Sequence, residues 1–369
     1  MKKILYFFKN DIVLTAALIL AVVSCFIIPP NAGYMDYIDF NTLIMLFCLM
    51  LIVEGMRGED FFRYIGNRIL RRVGTGRGVM VTLVFLCFFG SMFITNDVSL
   101  ITFVPFGLMI LEMTGLTSGV CFGVVLMTIA ANLGSMFTPV GNPQNLYLFS
   151  LSGMSIAEFF RLMLPYTAVS AVLLVICIFA GYRNEKLDIT EQTVKIKNKK
   201  RLCLYILLFV LCLLTVSGIV PHWTLLVIVF VSLLIFRRML FLRVDYALLL
   251  TFVFFFIFTG NMNHVEGLRS AIARLLSGRE TLVSILCSQV ISNVPAAMLL
   301  SGYTDNIPGL IVGTNLGGLG TLIASMASLI SYKQMALNYP QSKKKYIGIF
   351  TIFNVIFLAV LCIVWMFMM

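Results

Sequence analysis

The chain has 369 residues, of which 60% are hydrophobic and 12% charged, against about 25% charged in soluble domains. That balance excludes a water-soluble globular protein, and the long apolar runs exclude a transmembrane β-barrel, whose segments are short and alternating. The formal net charge of +11 falls in short loops between those runs, the pattern of positive-inside topology rather than of nucleic-acid binding.

A helix needs ~20 apolar residues to cross a bilayer. On that scale the sequence predicts spans at about 11–30, 40–56, 118–150, 160–182, 202–219, 222–236, 246–262, 308–337 and 346–368. The first follows Lys2, Lys3 and Lys9 as a signal peptide would. It is long and lacks a small-residue cleavage site, so it is expected to be retained as a span. Segments 118–150 and 308–337 are too long for one crossing. Each carries a helix-breaking stretch, "ANLGSMFTPVGNPQN" and "GTNLGGLGT", which predicts a span broken in the middle. Segments 78–112 and 280–303 are interrupted by "TND" and "SNVP", which predicts two re-entrant hairpins.

Counting sides tests these assignments. With the amino terminus inside, Arg57, Arg63, Arg68, Arg71, Arg72 and Arg77 return to the same side as the basic loop 183–201, which outweighs its Glu185, Asp188 and Glu191. Arg237, Arg238, Arg243, Lys333 and Lys343 to Lys345 fall there too. Every major basic cluster is then cytoplasmic, the carboxyl terminus is outside, and the expected location is the cell (inner or plasma) membrane.

The same order of elements occurs twice. Residues 1–39 hold the N-terminal span, and 40–182 form a first repeat with a hairpin at about 78–112 and a broken helix at about 118–150. Residues 183–221 supply a basic cytoplasmic loop and a linker span. Residues 222–369 form the second repeat, with a hairpin at about 280–303 and a broken helix at about 308–337. Both breaks contain Asn-Leu-Gly, at Asn132-Leu133-Gly134 and Asn315-Leu316-Gly317. The extra linker span inverts the second copy. The expected fold is therefore an all-α membrane protein, an inverted-repeat secondary transporter with two re-entrant hairpins and two broken helices, its site near the midplane.

Irregular backbone at membrane depth is tolerated only where protein or a watery cavity covers it, so the hairpin tips and breaks are the candidate binding surfaces. Thr95, Asn96 and Asp97 mark one tip, and Ser292, Asn293 and Pro295 the other. The first break adds Asn132, Gly141, Asn142, Pro143 and Asn145, with Gln144 a further amide among them. The second adds Thr314, Asn315, Gly317, Gly318 and Thr321. Hydroxyls and amides coordinate without permanent charge, and half-helix amino ends suit anions. A carboxylate near mid-membrane costs several kcal/mol, roughly 2.5–3.5 on insertion scales, so Asp97 is expected to face the site and bind a cation or carry a proton. A sodium ion at Asn96, Asp97 and Asn293 is one such use.

Other polar residues rank lower. Glu54 reads as an interfacial, solvated carboxylate, Asp305 as a turn residue, and His222 and His264 lack partners at metal spacing. The nine cysteines lie mostly in apolar runs and form no CxxC pair, so packing is expected rather than disulfides, a metal site or another cofactor.

"TNDVSLITFVPF" and "SNVPAAMLL", with the paired "ANLGSMFTPVGNPQN" and "GTNLGGLGTLIAS", resemble the ion transporter superfamily. That superfamily includes citrate and dicarboxylate carriers, arsenite permeases and some sodium/proton antiporters. The resemblance runs from about residue 40 to 365. It implies a homodimer whose mobile transport domain moves against a scaffold like an elevator. Thr95 to Asp97 and Ser292 to Val294 match the family's tip motifs; Gly141 to Asn145 and Gly313 to Thr321 match its breaks. The sodium-coupled dicarboxylate branch has Ser-Asn-Thr at both tips, whereas this chain has Thr-Asn-Asp and Ser-Asn-Val, which is closer to the arsenite- and citrate-permease side.

The function expected is secondary active transport of a small anion or organic acid through the lipid bilayer, coupled to protons or sodium. An arsenite exporter or sodium/proton antiporter is the alternative, with Asp97 as the exchanging carboxylate. A membrane enzyme or receptor subunit is disfavoured: no catalytic carboxylate pair, nucleophile triad or phosphate loop is visible.

Overall fold

A computed structural model of the chain describes residues 12–31, 33–70, 73–186 and 194–368. Lys2, Lys3, Lys9, Arg71, Arg72, Asp188 and Glu191 lie outside the described residues. Apart from one isolated bridge between Thr75 and Lys186, the regular elements among the described residues are helices.

The expected spans are present with small boundary shifts. They are α1 (Ile12–Ile27), α2 (Phe40–Gly58), then a short amphipathic α3 (Phe61–Leu70). The first hairpin is α4 (Gly76–Ile94) and α5 (Asn96–Met113). The first broken helix is α6 (Val120–Ser135) and α7 (Pro143–Ser152), followed by α8 (Ile156–Gly181) and α9 (Lys199–Val216). The second series is α10 (His222–Arg237), α11 (Tyr246–Asn263) and the amphipathic α12 (Glu266–Leu276). A second hairpin follows, α13 (Glu280–Ile291) and α14 (Asn293–Ser301), then a second broken helix, α15 (Ile307–Leu316) and α16 (Met326–Asn338), and finally α17 (Lys343–Met368). Among the described residues, seven helices are long and apolar enough to cross a membrane.

Local chemistry sets the helix starts. Asp39 and Asp245 accept from the backbone N–H of Thr42 and Leu248, opening α2 and α11. Ser155 and Glu158 form a reciprocal capping box on α8, and Asn306 caps α15. Each carboxylate, hydroxyl or amide oxygen satisfies a donor that the helix cannot use itself.

The two hairpins differ in reach. The α4 and α5 arms have 19 and 18 residues, about 27–29 Å at 1.5 Å per residue, each as long as a full crossing. The α13 and α14 arms have 12 and 9 residues, about 14–18 Å, too short to cross a core of ~30 Å.

Packing is crosswise. Helix α1 lies on α11, while α10 lies on α2. The first hairpin packs on α6 and, through α5, on α16; the second packs on α15 and, through α14, on α7. Each hairpin is thus held by the first half of its own broken helix and by the second half of the other.

Candidate functional site

The hairpin tips have matching backbones. Thr95 has φ 63° and ψ 152°, and Ser292 has φ 76° and ψ 156°, a conformation that costs a non-glycine residue about 1–3 kcal/mol. In each tip the next residue, Asn96 or Asn293, folds its amide oxygen back onto the following backbone N–H, at 3.0 Å to Asp97 and 3.0 Å to Val294. Both asparagines are 5% exposed. The strained residue turns the chain sharply, and the asparagine, first residue of the returning helix, takes up one free N–H of its first turn.

Behind the tips, each Asn-Leu-Gly asparagine bridges to the other broken helix. Asn132 Oδ1 accepts from Asn96 Nδ2 at 3.1 Å and from Ser325 Oγ at 3.0 Å, while its Nδ2 donates to Ser328 Oγ at 3.3 Å. Asn315 Oδ1 accepts from Asn142 Nδ2 at 3.2 Å, and its Nδ2 donates to Asn145 Oδ1 at 2.6 Å. Ser325 and Asn142 are the residues preceding α16 and α7, and neither spends its side chain on capping. Those side chains instead tie α16 to α6 and α7 to α15.

The break loops are closed by side-chain amides. Asn145 Nδ2 reaches the carbonyls of Ser135, Met136 and Thr138 at 3.2–3.4 Å. Gln289 Nε2 donates to Gly317 O and Leu319 O at 3.0 and 2.9 Å, and its Oε1 accepts from Thr321 N at 2.9 Å. A Cβ on Gly134 would land on the Phe88 carbonyl, and one on Gly141 on the Ser135 carbonyl. These glycines admit backbone where no side chain fits.

A cavity opens where the tips and the breaks meet. It is lined by Asn96 and Asp97 of α5, Pro143 and Gln144 of α7, Asn293 to Pro295 of α14, and Ser325 and Met326 at the start of α16. All four helices present their amino ends, each equivalent to about half a positive charge. Asp97 and Asp245 supply the formal charge of the lining, which contains no Lys or Arg among the described residues. Asp97 Oδ1 is inaccessible and has no hydrogen-bond partner among the described residues; the same holds for Gln144 Nε2. Gln144 is 1% exposed. The cavity offers about 40 Å³, room for roughly three waters at the ~10–15 Å³ that each requires.

The structure therefore brings Asn96, Asp97, Pro143, Asn293 and Pro295 to one cavity. Thr95 and Ser292 shape its tips, and Asn132, Asn142, Asn145 and Asn315 form the framework behind it. Gly141 admits the Ser135 carbonyl, Gly317 sits against Ser288, and Gly318 approaches Asn293 Nδ2. Thr314 bonds carbonyls of its own helix, and Thr321 is exposed and held by Gln289. Gln144 was visible in the sequence as an amide of the first break, whereas Ser325, Ser328, Asp245 and Gln289 did not stand out there. A signal existed for Asp245: "VDY" at 244–246 parallels "IDF" at 38–40. Gln289 sits unannounced inside an apolar run.

Glu54 is not simply solvated. It pairs with Arg57 at 3.1 Å and Arg243 at 3.2 Å. The cysteines described are free thiols, most of them buried or half-buried.

A family model for citrate transporters matches residues 4–308. The chain belongs to that citrate transporter family. It is 36% identical over 303 residues to an uncharacterized transporter of Methanocaldococcus jannaschii, covering 80% of this chain and 81% of the relative. It is 30% identical over 299 residues to the inner membrane protein YbiR of Escherichia coli, 80% of each chain. A shorter match, 31% over 128 residues, is to the silicon efflux transporter of Oryza sativa subsp. japonica, 35% of this chain and 26% of that one. As a member of the citrate transporter family, the protein is a multi-pass membrane transporter, in accord with the superfamily resemblance of its tip and break motifs.

Proposed function

We propose that the protein is a secondary active transporter for a small anion or organic acid, coupled to protons or sodium at Asp97. The single observation that carries this reading is the convergence of four helix amino ends on one cavity lined by Asp97, a carboxylate with one oxygen that has no hydrogen-bond partner among the described residues. The amino ends favour a negative solute. Asp97 repels it unless a proton or cation is present, so substrate binding and ion binding favour one another.

The crosswise asparagine bridges and crosswise helix packing support an inverted repeat built from residues 40–182 and 222–369. In this reading the hairpins and broken helices form a moving body, α2, α9, α10 and α11 belong to the scaffold, and the carrier is an elevator-type homodimer with a cytoplasmic amino terminus.

A second reading, export of a compact hydroxylated solute such as arsenite, is favoured by the small cavity and by the likeness to a silicon efflux transporter. The deciding measurement uses purified protein in liposomes, with sodium and proton gradients imposed separately against citrate, succinate, sulfate, arsenite and silicate. Gradient-driven movement of a carboxylate supports the first reading, and movement of arsenite or silicate alone the second. If no gradient drives any of these solutes, coupled transport of these classes is wrong.

A further inference from the structure

A second polar cavity, unrelated to the transport site, lies where the carboxyl ends of α2 and α10 meet the start of α9. It encloses about 350 Å³ and is lined by Arg57, Lys197, Arg237 and Arg243 around Glu54 and Tyr205. The carboxylates nearby account for only part of this charge. Glu54 is shared between Arg57 and Arg243, and Asp60 holds Lys197 at 2.8 Å. Glu59, 1% exposed, lies 3.3 Å from Arg237 and 3.9 Å from Arg201. With Arg63 at 3.8 Å from Asp60, six cations share these three carboxylates among the described residues. Arg237 Nε is buried and has no acceptor among the described residues.

A cavity with surplus guanidinium and ammonium donors and an unused buried N–H fits a phosphate, which accepts several charge-assisted bonds at once. The rim identifies the source of that phosphate. Met239, which lines the cavity, and its neighbours Phe236 and Leu242 are 59%, 59% and 76% exposed; Met239 and Leu242 lie in the turn Arg238–Arg243 beside the cavity, and Phe236 just before it. Such side chains belong in acyl chains, not in water. We infer that this cavity holds the phosphate of an anionic phospholipid, with its tails along the exposed apolar rim. The lipid would bridge α2, α9 and α10, and so tie together helices that the preceding reading places in the scaffold; the site itself does not depend on what the transporter carries.

The test uses the full-length protein in a neutral detergent, followed by native mass spectrometry and thermal melting. Short-chain phosphatidylglycerol, phosphatidylcholine and inorganic phosphate are added in separate arms. Phosphatidylglycerol is expected to bind and raise the melting temperature by several degrees, phosphatidylcholine to do so much less, and phosphate alone to have no effect. The double variant Lys197→Ala/Arg243→Ala removes two side chains that are 62% and 60% exposed, so it should fold. It is expected to weaken phosphatidylglycerol binding about tenfold. The control Lys344→Ala/Lys345→Ala, equal in charge and exposed, should leave binding unchanged. Equal effects of the two lipids, protection by phosphate alone, or equal losses in both double variants would overturn the assignment.

Discussion

Thr95 and Ser292 hold the same left-handed backbone conformation at the two hairpin tips, φ 63° and 76° with ψ 152° and 156°. Two non-glycine residues strained alike, each followed by an asparagine that opens the returning helix, place Asn96 and Asn293 on the same cavity.

Relieving that strain should stabilise the fold. Thr95 makes no side-chain cap hydrogen bond, so Thr95→Gly removes about 1–3 kcal/mol of strain against about 0.5–1 kcal/mol of added chain entropy. A melting temperature in detergent that rises by a few degrees is expected; a fall would show that the threonine is not strained.

The asparagine framework can be tested through neighbours. Asn315→Ala leaves Asn142 Nδ2 and Asn145 Oδ1 buried without their partner, a cost of about 3 kcal/mol for two orphaned groups. Thr314→Ala removes a hydroxyl bonded only within its own helix, about 1 kcal/mol. Melting curves of the two variants should separate clearly, with Asn315→Ala the lower.

Gln144 Nε2 has no hydrogen-bond partner among the described residues. Gln144→Met keeps the volume and removes the N–H. The half-saturating substrate concentration should rise about tenfold, the equivalent of one hydrogen bond near 1.4 kcal/mol, with melting temperature unchanged. A normal transport curve would remove Gln144 from the site.

The two carboxylates of the cavity should behave in opposite ways. Asp97→Asn removes the charge proposed to couple ion and substrate, so gradient-driven transport in liposomes should drop at least tenfold. Asp245→Asn keeps the α11 cap, since Asn caps as well as Asp, and removes a negative charge facing an anion. Its apparent affinity should tighten about threefold, an electrostatic gain of roughly 0.7 kcal/mol. Loss of affinity would contradict the charge balance proposed for the site.

Gly134→Ala drives a methyl into the Phe88 carbonyl, whereas Gly348→Ala meets nothing within 4 Å. Backbone cannot yield as a flexible side chain does, so the first variant is expected to lose most of its folded yield in detergent and the second none.

The sequence by itself determined the solvent, the helices and the places where they stop. Apolar run length reports the bilayer, and Gly, Pro and Asn clusters at 95–97, 138–145, 292–295 and 313–321 report where helical hydrogen bonding fails. These are local properties of consecutive residues. Only the tertiary structure decided that Asn132 bonds to Ser325 and Ser328, that Gln289 closes the loop around Gly317 and Leu319, and that Asp245 faces the same cavity as Asp97. Those pairings join residues far apart in the chain, and a hydrogen bond or a shared cavity depends on the distance and direction that helix packing imposes, which no local pattern encodes.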